Sequence, residues 1–135
     1  MSVPRPGIAR SALGLWLPPA VYAAVIFWLS GRPVADEVAL LPDWLHSDKL
    51  QHGLAYAGLA ALLVRAMAGG HWRGMTTRRT MVAVALAIVY GVSDEWHQSF
   101  VPERSADAAD VLADAIGASV GGAVVFAWGI IRRSP

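Results

Sequence analysis

The sequence contains no cysteine. This excludes a disulfide framework and a thiol nucleophile, although it does not identify a compartment. Charge is also scarce. Asp, Glu, Lys and Arg make up 16% of the chain and hydrophobic residues 56%, whereas a soluble domain carries about 25% charged residues. Together with a mean hydropathy of +0.46, this deficit points to contact with lipid. No His-Glu-x-x-His run and no cysteine pair is present, so no zinc signature exists at the level of spacing. Ser47, Ser93 and Ser99 lie outside any Gly-x-Ser-x-Gly elbow. Neither a metal nor another cofactor is expected from these patterns. No internal repeat or low-complexity segment occurs, and 135 residues allow one domain without a large module outside a membrane.

Four apolar stretches are present, at about residues 13–29, 50–67, 80–92 and 111–131. Crossing a hydrocarbon core of about 30 Å takes about 20 apolar residues. The first, second and fourth stretches approach or reach that length. The third spans roughly 20 Å before Asp94 and Glu95, and is expected to continue as helix to about Phe100 and stop before Pro102. The fold expected is therefore all-α, a polytopic membrane protein with four transmembrane helices in one bundle. Residues 1–12 form an N-terminal tail, 13–131 the transmembrane domain and 132–135 a C-terminal tail. The connections, at about 31–47, 68–79 and 101–110, are short. Arg5 and Arg10 ahead of the first stretch resemble the start of a signal peptide. That stretch is long, however, and no small-x-small cleavage site follows it, so it is read as a span.

The charges are sorted by side. Arg5, Arg10, Arg65, Arg73, Arg78, Arg79, Arg132 and Arg133 fall at one end of the spans, and only Arg32, Lys49 and Arg104 at the other. All ten acidic residues fall at that second end. Lys and Arg are retained on the cytoplasmic side, so both termini are expected in the cytoplasm and the acidic end outside. Trp16, Trp28, Trp44, Trp72 and Trp128 lie near span ends, as interfacial anchors do. The cytoplasmic arginines are read as attracting anionic lipid and not nucleic acid.

Three polar motifs meet at the acidic end. In the second stretch Asp48, His52 and Tyr56 are spaced i, i+4, i+8 and share a helix face, with Lys49 beside Asp48. Asp94, Glu95 and Gln98 close the third, where Asp94 and Gln98 share a face. Adjacent acids near lipid are costly without a partner, so ion pairs are expected from Asp94 or Glu95 to Lys49 or Arg104. In the fourth, Asp110, Asp114, Gly117 and Gly121 form one stripe behind Asp107. Its acids should face the bundle interior, and its glycines should allow close helix contact. The three motifs are expected to converge on one outward-facing polar cavity. A salt-bridge network that only locks the bundle is the alternative. His46 and His97 add further candidate ligands without a recognisable spacing.

These residues resemble the VanZ-like family of bacterial membrane proteins. The likeness rests on Asp48-Lys49-x-x-His52-x-x-x-Tyr56, then Asp94-Glu95-x-x-Gln98-x-Phe100-x-Pro102-x-Arg104, then Asp110 and Gly117-x-x-x-Gly121, and covers nearly the whole chain. It implies a four-span envelope protein of the bacterial cytoplasmic (inner) membrane, the founding member being associated with low-level resistance to the glycopeptide teicoplanin. Asp114 stands where the family often has Asn, and Glu103 where a small residue is common.

Three functions are consistent with these residues. In the first, the protein interacts with a membrane lipid or a lipid-linked cell-wall precursor and so alters glycopeptide sensitivity. Lys49 and Arg104 would hold an anionic group, with Asp48, Tyr56, Gln98 and Asp110 completing the binding set; an Arg fork suits such groups. In the second, the protein is an enzyme acting on a lipid headgroup, with Asp94, Glu95 and His52 as acid–base residues. In the third, it is a small proton-coupled transporter that would need a homo-oligomer to form a pathway.

Overall fold

The computed structural model describes residues 11–32 and 47–132. The tails at 1–10 and 133–135 and the segment 33–46, which holds Asp36, Glu37, Asp43, Trp44 and His46, lie outside the described residues.

The described residues form four long helices and one short 3₁₀ turn, with no strand. Helix α1 covers Ala12–Ser30, α2 Asp48–Met67, α3 Thr77–Gln98 and α4 Ala108–Ile131. Each start is fixed by a side chain that accepts an otherwise unpaired N–H. Ser11 accepts from Gly14, Ser47 from Leu50, Thr76 from Arg79 and Asp107 from Ala109. In α1, Pro18 and Pro19 remove two backbone donors, a loss tolerated in helices that pack in lipid. After α2 the chain reverses through Gly69 and Gly70, whose φ values of 67° and 73° are open to glycine without steric cost, and then through the Trp72–Gly74 turn. As expected, α3 runs past Asp94 and stops short of Pro102.

The contacts fix an up-down-up-down arrangement. Ser30 at the end of α1 meets Asp94 at the end of α3, so α1 and α3 run the same way. Lys49 at the start of α2 meets Asp110 at the start of α4, so these two run together in the opposite sense. Helix α2 is central and packs against the other three, while α4 lies against α2 and α3. The expected close glycine contact is present. A Cβ at Gly117 would lie 2.0 Å from the Gly53 carbonyl oxygen, and one at Gly121 would lie 2.3 Å from that of Ala57. Small residues thus bring the backbones of α2 and α4 into direct contact.

The interior is built mainly from small side chains. One cluster joins Ile26, Tyr56, Leu59, Ala60, Ala87 and Ala118, and a second joins Val64, Ala68, Met75 and Ala83. Large apolar side chains point outward instead, among them Leu13, Val21, Phe27, Met81, Val89, Leu112, Val120 and Val124. Meanwhile Asp94, Glu95, Gln98, Asp110 and Asp114 are buried. This distribution is the reverse of a water-soluble domain.

Two of the four helices, α1 and α4, are apolar and long enough to cross a membrane. Neither is covered as the core helix of a soluble domain would be, since Trp16, Val25 and Trp28 of α1 and Ile116, Val120 and Val124 of α4 are exposed. Helices α2 and α3 are long enough, but charge lowers their hydropathy. Helix α2 carries Asp48, Lys49 and Arg65, and α3 carries Arg78, Arg79, Asp94 and Glu95.

Candidate functional site

The start of α2, the end of α3 and the start of α4 meet at one end of the bundle, and all the polar motifs lie there. At the rim, the Lys49 ammonium donates to Asp107 Oδ2 at 2.8 Å and to Asp110 Oδ1. Asp48 Oδ2 lies 4.0 Å away. Lys49 is roughly half exposed whereas Asp110 is buried, so the ammonium spans the boundary between solvent and interior. Its hydrogen bond, followed by the Ala109 N–H, holds the Asp107 carboxyl below the usual carboxylate range.

One turn further in, His52 Nδ1 lies 2.9 Å from Asp114 Oδ1, and His52 Nε2 is 3.8 Å from Asp48 Oδ1. The i, i+4 stripe of α2 therefore meets the i, i+4 stripe of α4. Asp114 is among the largest fully buried side chains, together with Tyr56 and Val64. Gly91 of α3 makes room for it, since a Cβ there would come within 2.7 Å of Asp114 Oδ2. Tyr56 lies below, its ring 6.3 Å from that of Tyr90, whose hydroxyl donates to the Ala23 carbonyl at 2.6 Å.

A second chain of hydrogen bonds runs along the end of α3. Asp94 accepts from the Ser30 hydroxyl at 2.5 Å and from the Gln98 amide at 3.2 Å. Gln98 Oε1 accepts from Arg104, whose Nε–H donates to the Arg32 carbonyl at 2.7 Å. Arg32 in turn lies 3.7 Å over the Trp28 ring. Glu95 Oε2 accepts the backbone N–H of Asp107 at 2.9 Å, tying α3 to the cap of α4.

The expected ion pairs from Asp94 or Glu95 to Lys49 or Arg104 do not form. Lys49 turns to Asp107 and Asp110 because α2 lies against the start of α4. The two acids of α3 take neutral donors instead, Asp94 a hydroxyl and an amide and Glu95 a backbone N–H at one of its oxygens. All nine residues singled out from the sequence, Asp48, Lys49, His52, Tyr56, Asp94, Glu95, Gln98, Arg104 and Asp110, lie at this end. His97 does not join them; it stacks on Phe27 with ring centroids 4.1 Å apart.

The structure adds Ser30, Asp107 and Asp114 as direct partners of those residues. Asp107 and Asp114 carried a signal, since they flank Asp110 on the same helix. Ser30 carried only the weak one of a hydroxyl closing an apolar run. Six buried polar side-chain atoms have no hydrogen-bond partner among the described residues, and three of them, Tyr56 Oη, Glu95 Oε1 and Asp114 Oδ2, belong to this cluster. Buried oxygens are rarely left without a donor, so these three mark where the cluster can take a further proton, ion or ligand group.

No curated protein and no solved structure matches the chain. A family model described as VanZ/LLP1 matches residues 19–131, from the second turn of α1 to the last residue of α4. With that match covering most of α1, the other three helices in full and every residue of the polar cluster, the chain belongs to the VanZ/LLP1 family.

Proposed function

We propose that this chain is a four-span protein of the bacterial cytoplasmic membrane. In this reading both termini are cytoplasmic, and the polar cluster faces outward and engages a lipid headgroup or a lipid-linked cell-wall precursor. The observation that carries the reading is the inverted bundle, with polar residues buried at one end and large apolar side chains outward. Helix lengths support four spans, since the shortest, α1, has 19 residues and reaches roughly 29 Å at 1.5 Å per residue, against a core of about 30 Å. Charge supports the orientation, because Arg65, Arg73, Arg78, Arg79 and Arg132 lie at the end opposite the acids. Trp28 under Arg32 and Trp128 under Arg132 suit interfacial positions at the two ends.

The half-exposed Lys49 and the Arg104 beside Gln98 are the donors a headgroup phosphate or carboxylate would meet first. Family membership supports an influence on glycopeptide sensitivity. The test is teicoplanin susceptibility of a sensitive host expressing the wild type, Asp94→Asn or Arg104→Ala at matched membrane levels. Protection by the wild type and its loss in both variants is expected; equal protection by the variants would remove the cluster from the function.

A second reading, an enzyme acting on a lipid headgroup, is favoured by one specific arrangement. The His52–Asp114 pair lies at 2.9 Å in the same cluster as the unpartnered Glu95 and Tyr56 oxygens, a set able to move protons. Turnover of a headgroup substrate that Glu95→Gln abolishes without unfolding the protein would support it. Absence of turnover across phospholipid and polyprenyl-phosphate substrates would remove it.

A further inference from the structure

We propose that His52, Glu95 and Asp114 form a binding site for one zinc ion. One ligand comes from each of α2, α3 and α4, and the three donor atoms lie within 4.8 Å of one another. Zinc bonds to imidazole nitrogen and carboxylate oxygen are about 2.0–2.2 Å long, which places tetrahedral ligand atoms about 3.4 Å apart. His52 Nδ1 and Asp114 Oδ1 are already closer than that, at 2.9 Å, so the remaining adjustment is a rotation of side chains.

The second observation is independent of the clustering. Glu95 and Asp114 are 4% and 1% exposed, and each has one carboxylate oxygen engaged and the other without a partner. An orphaned buried carboxylate oxygen is costly to leave unpaired, and a cation between the two carboxylates removes that cost. Gly91 keeps a methyl group out of the space at Asp114 Oδ2. Two carboxylates and a neutral imidazole balance a divalent charge, as a site between buried helices requires.

The surroundings fit a metal-bound imidazole. With Nδ1 facing Asp114, the other ring nitrogen lies 3.8 Å from Asp48 Oδ1, so a small movement of the exposed Asp48 side chain would complete the carboxylate–histidine hydrogen bond that orients metal-ligating His. Glu95 is fixed by the Asp107 N–H. The nitrogen donor separates the site from magnesium and calcium, which take oxygen sets. Three protein ligands leave the fourth zinc position open, the pattern of catalytic rather than structural zinc. A neighbouring trio, Asp48, His52 and Asp110, also lies within range. There the Lys49 ammonium already occupies Asp110, so the inner trio is the site. Spacing along the sequence could not reveal it, because no two ligands share a helix. The inference goes beyond the envelope role proposed above and does not depend on it.

The full-length protein, purified in detergent and stripped with a chelator, is loaded with zinc chloride and desalted, and retained zinc is counted by elemental analysis. One zinc per chain is expected in the wild type and in Arg73→Gln, an exposed position at the opposite end of the bundle. Binding should weaken by about tenfold or more in Glu95→Gln and Asp114→Asn, each checked for a monodisperse folded peak. A wild type that retains no zinc, or a Glu95→Gln/Asp114→Asn protein that retains it fully, overturns the proposal. Should the variants fail to fold, cobalt replaces zinc in the wild type. Strong ligand-field absorption of a four-coordinate ion supports the site, and the weak spectrum of hexa-aqua cobalt overturns it. The susceptibility assay is read separately, so a zinc-free protein that still protects would defeat the metal site alone.

Discussion

The crossing of α2 and α4 yields two substitutions of opposite sign at one contact. A methyl group added at Gly117 would lie 2.0 Å from the Gly53 carbonyl oxygen, 2.6 Å from its carbon and 2.7 Å from its Cα. Ordinary contact begins near 3.4 Å, so the helices must part by roughly the 1.4 Å between those distances. The obstacle is backbone, which no rotamer change relieves. Overpacking of this kind costs about 1–3 kcal/mol, and the gain in helix propensity from Gly to Ala returns at most about 1 kcal/mol. Gly117→Ala is therefore expected to destabilise the bundle by about 1–2 kcal/mol net. Gly53 faces the same helix, yet a methyl there would meet the Ala113 carbonyl oxygen at 3.7 Å, an ordinary contact. Gly53→Ala is expected to be neutral or stabilising by up to about 1 kcal/mol. Reversible unfolding in mixed detergent, followed by circular dichroism, reads both. Equal loss in the two variants, or a Gly117→Ala protein as stable as the wild type, would refute the close crossing.

Two further predictions concern the loop and the rim. Glu103 has a φ of 67°, a left-handed conformation that costs a side-chain-bearing residue roughly 1–2 kcal/mol, so Glu103→Gly is expected to stabilise the protein by about 1 kcal/mol in the same unfolding assay; a loss of stability would contradict the strain. The Asp107 carboxyl is held below its ordinary value of 3.8 by Lys49 and then by the Ala109 N–H, so its stabilising contribution is fully present above that ordinary value and lost as pH falls through the lower folded value. The stability difference between wild type and Asp107→Asn should accordingly stay constant from neutral pH down to about pH 5 and shrink only below about pH 4; a difference that shrinks above pH 6 would contradict the assignment.

The elements were legible in the sequence because a helix near lipid must be an apolar run of a certain length, whereas the capping residues Ser11, Ser47, Thr76 and Asp107 that fix the helix starts emerge only with the structure. The stripe Asp110, Asp114, Gly117, Gly121 was equally readable, since stacking every third or fourth residue is a property of the helix itself. Convergence of the polar motifs at one end followed from the alternation of helix direction. Partner choice was not legible. Lys49 lies beside Asp107 and Asp110 because α2 packs on α4, an order of helices that charge counting does not determine. Glu95 takes a backbone N–H at one of its oxygens, a donor that every residue but proline carries and no residue type announces. The left-handed backbone at Glu103 gives a physical reason for a small residue at that place, but nothing in the neighbouring letters specifies the angle. Side-by-side packing of helices also explains why no metal-ligand spacing occurs along the chain. His52, Glu95 and Asp114 come together only once three helices are placed side by side.

The central claim is that the acidic end of a four-span bundle faces outward. Because the chain has no cysteine, single cysteines report their own location without background. Glu103→Cys lies in the loop between α3 and α4, and Arg73→Cys in the turn between α2 and α3. Intact cells expressing each variant are treated with a membrane-impermeant maleimide, and then again after permeabilisation. The account predicts labelling of position 103 in intact cells and of position 73 only after permeabilisation. Labelling of position 73 in intact cells, or of neither position until the membrane is opened, would contradict it.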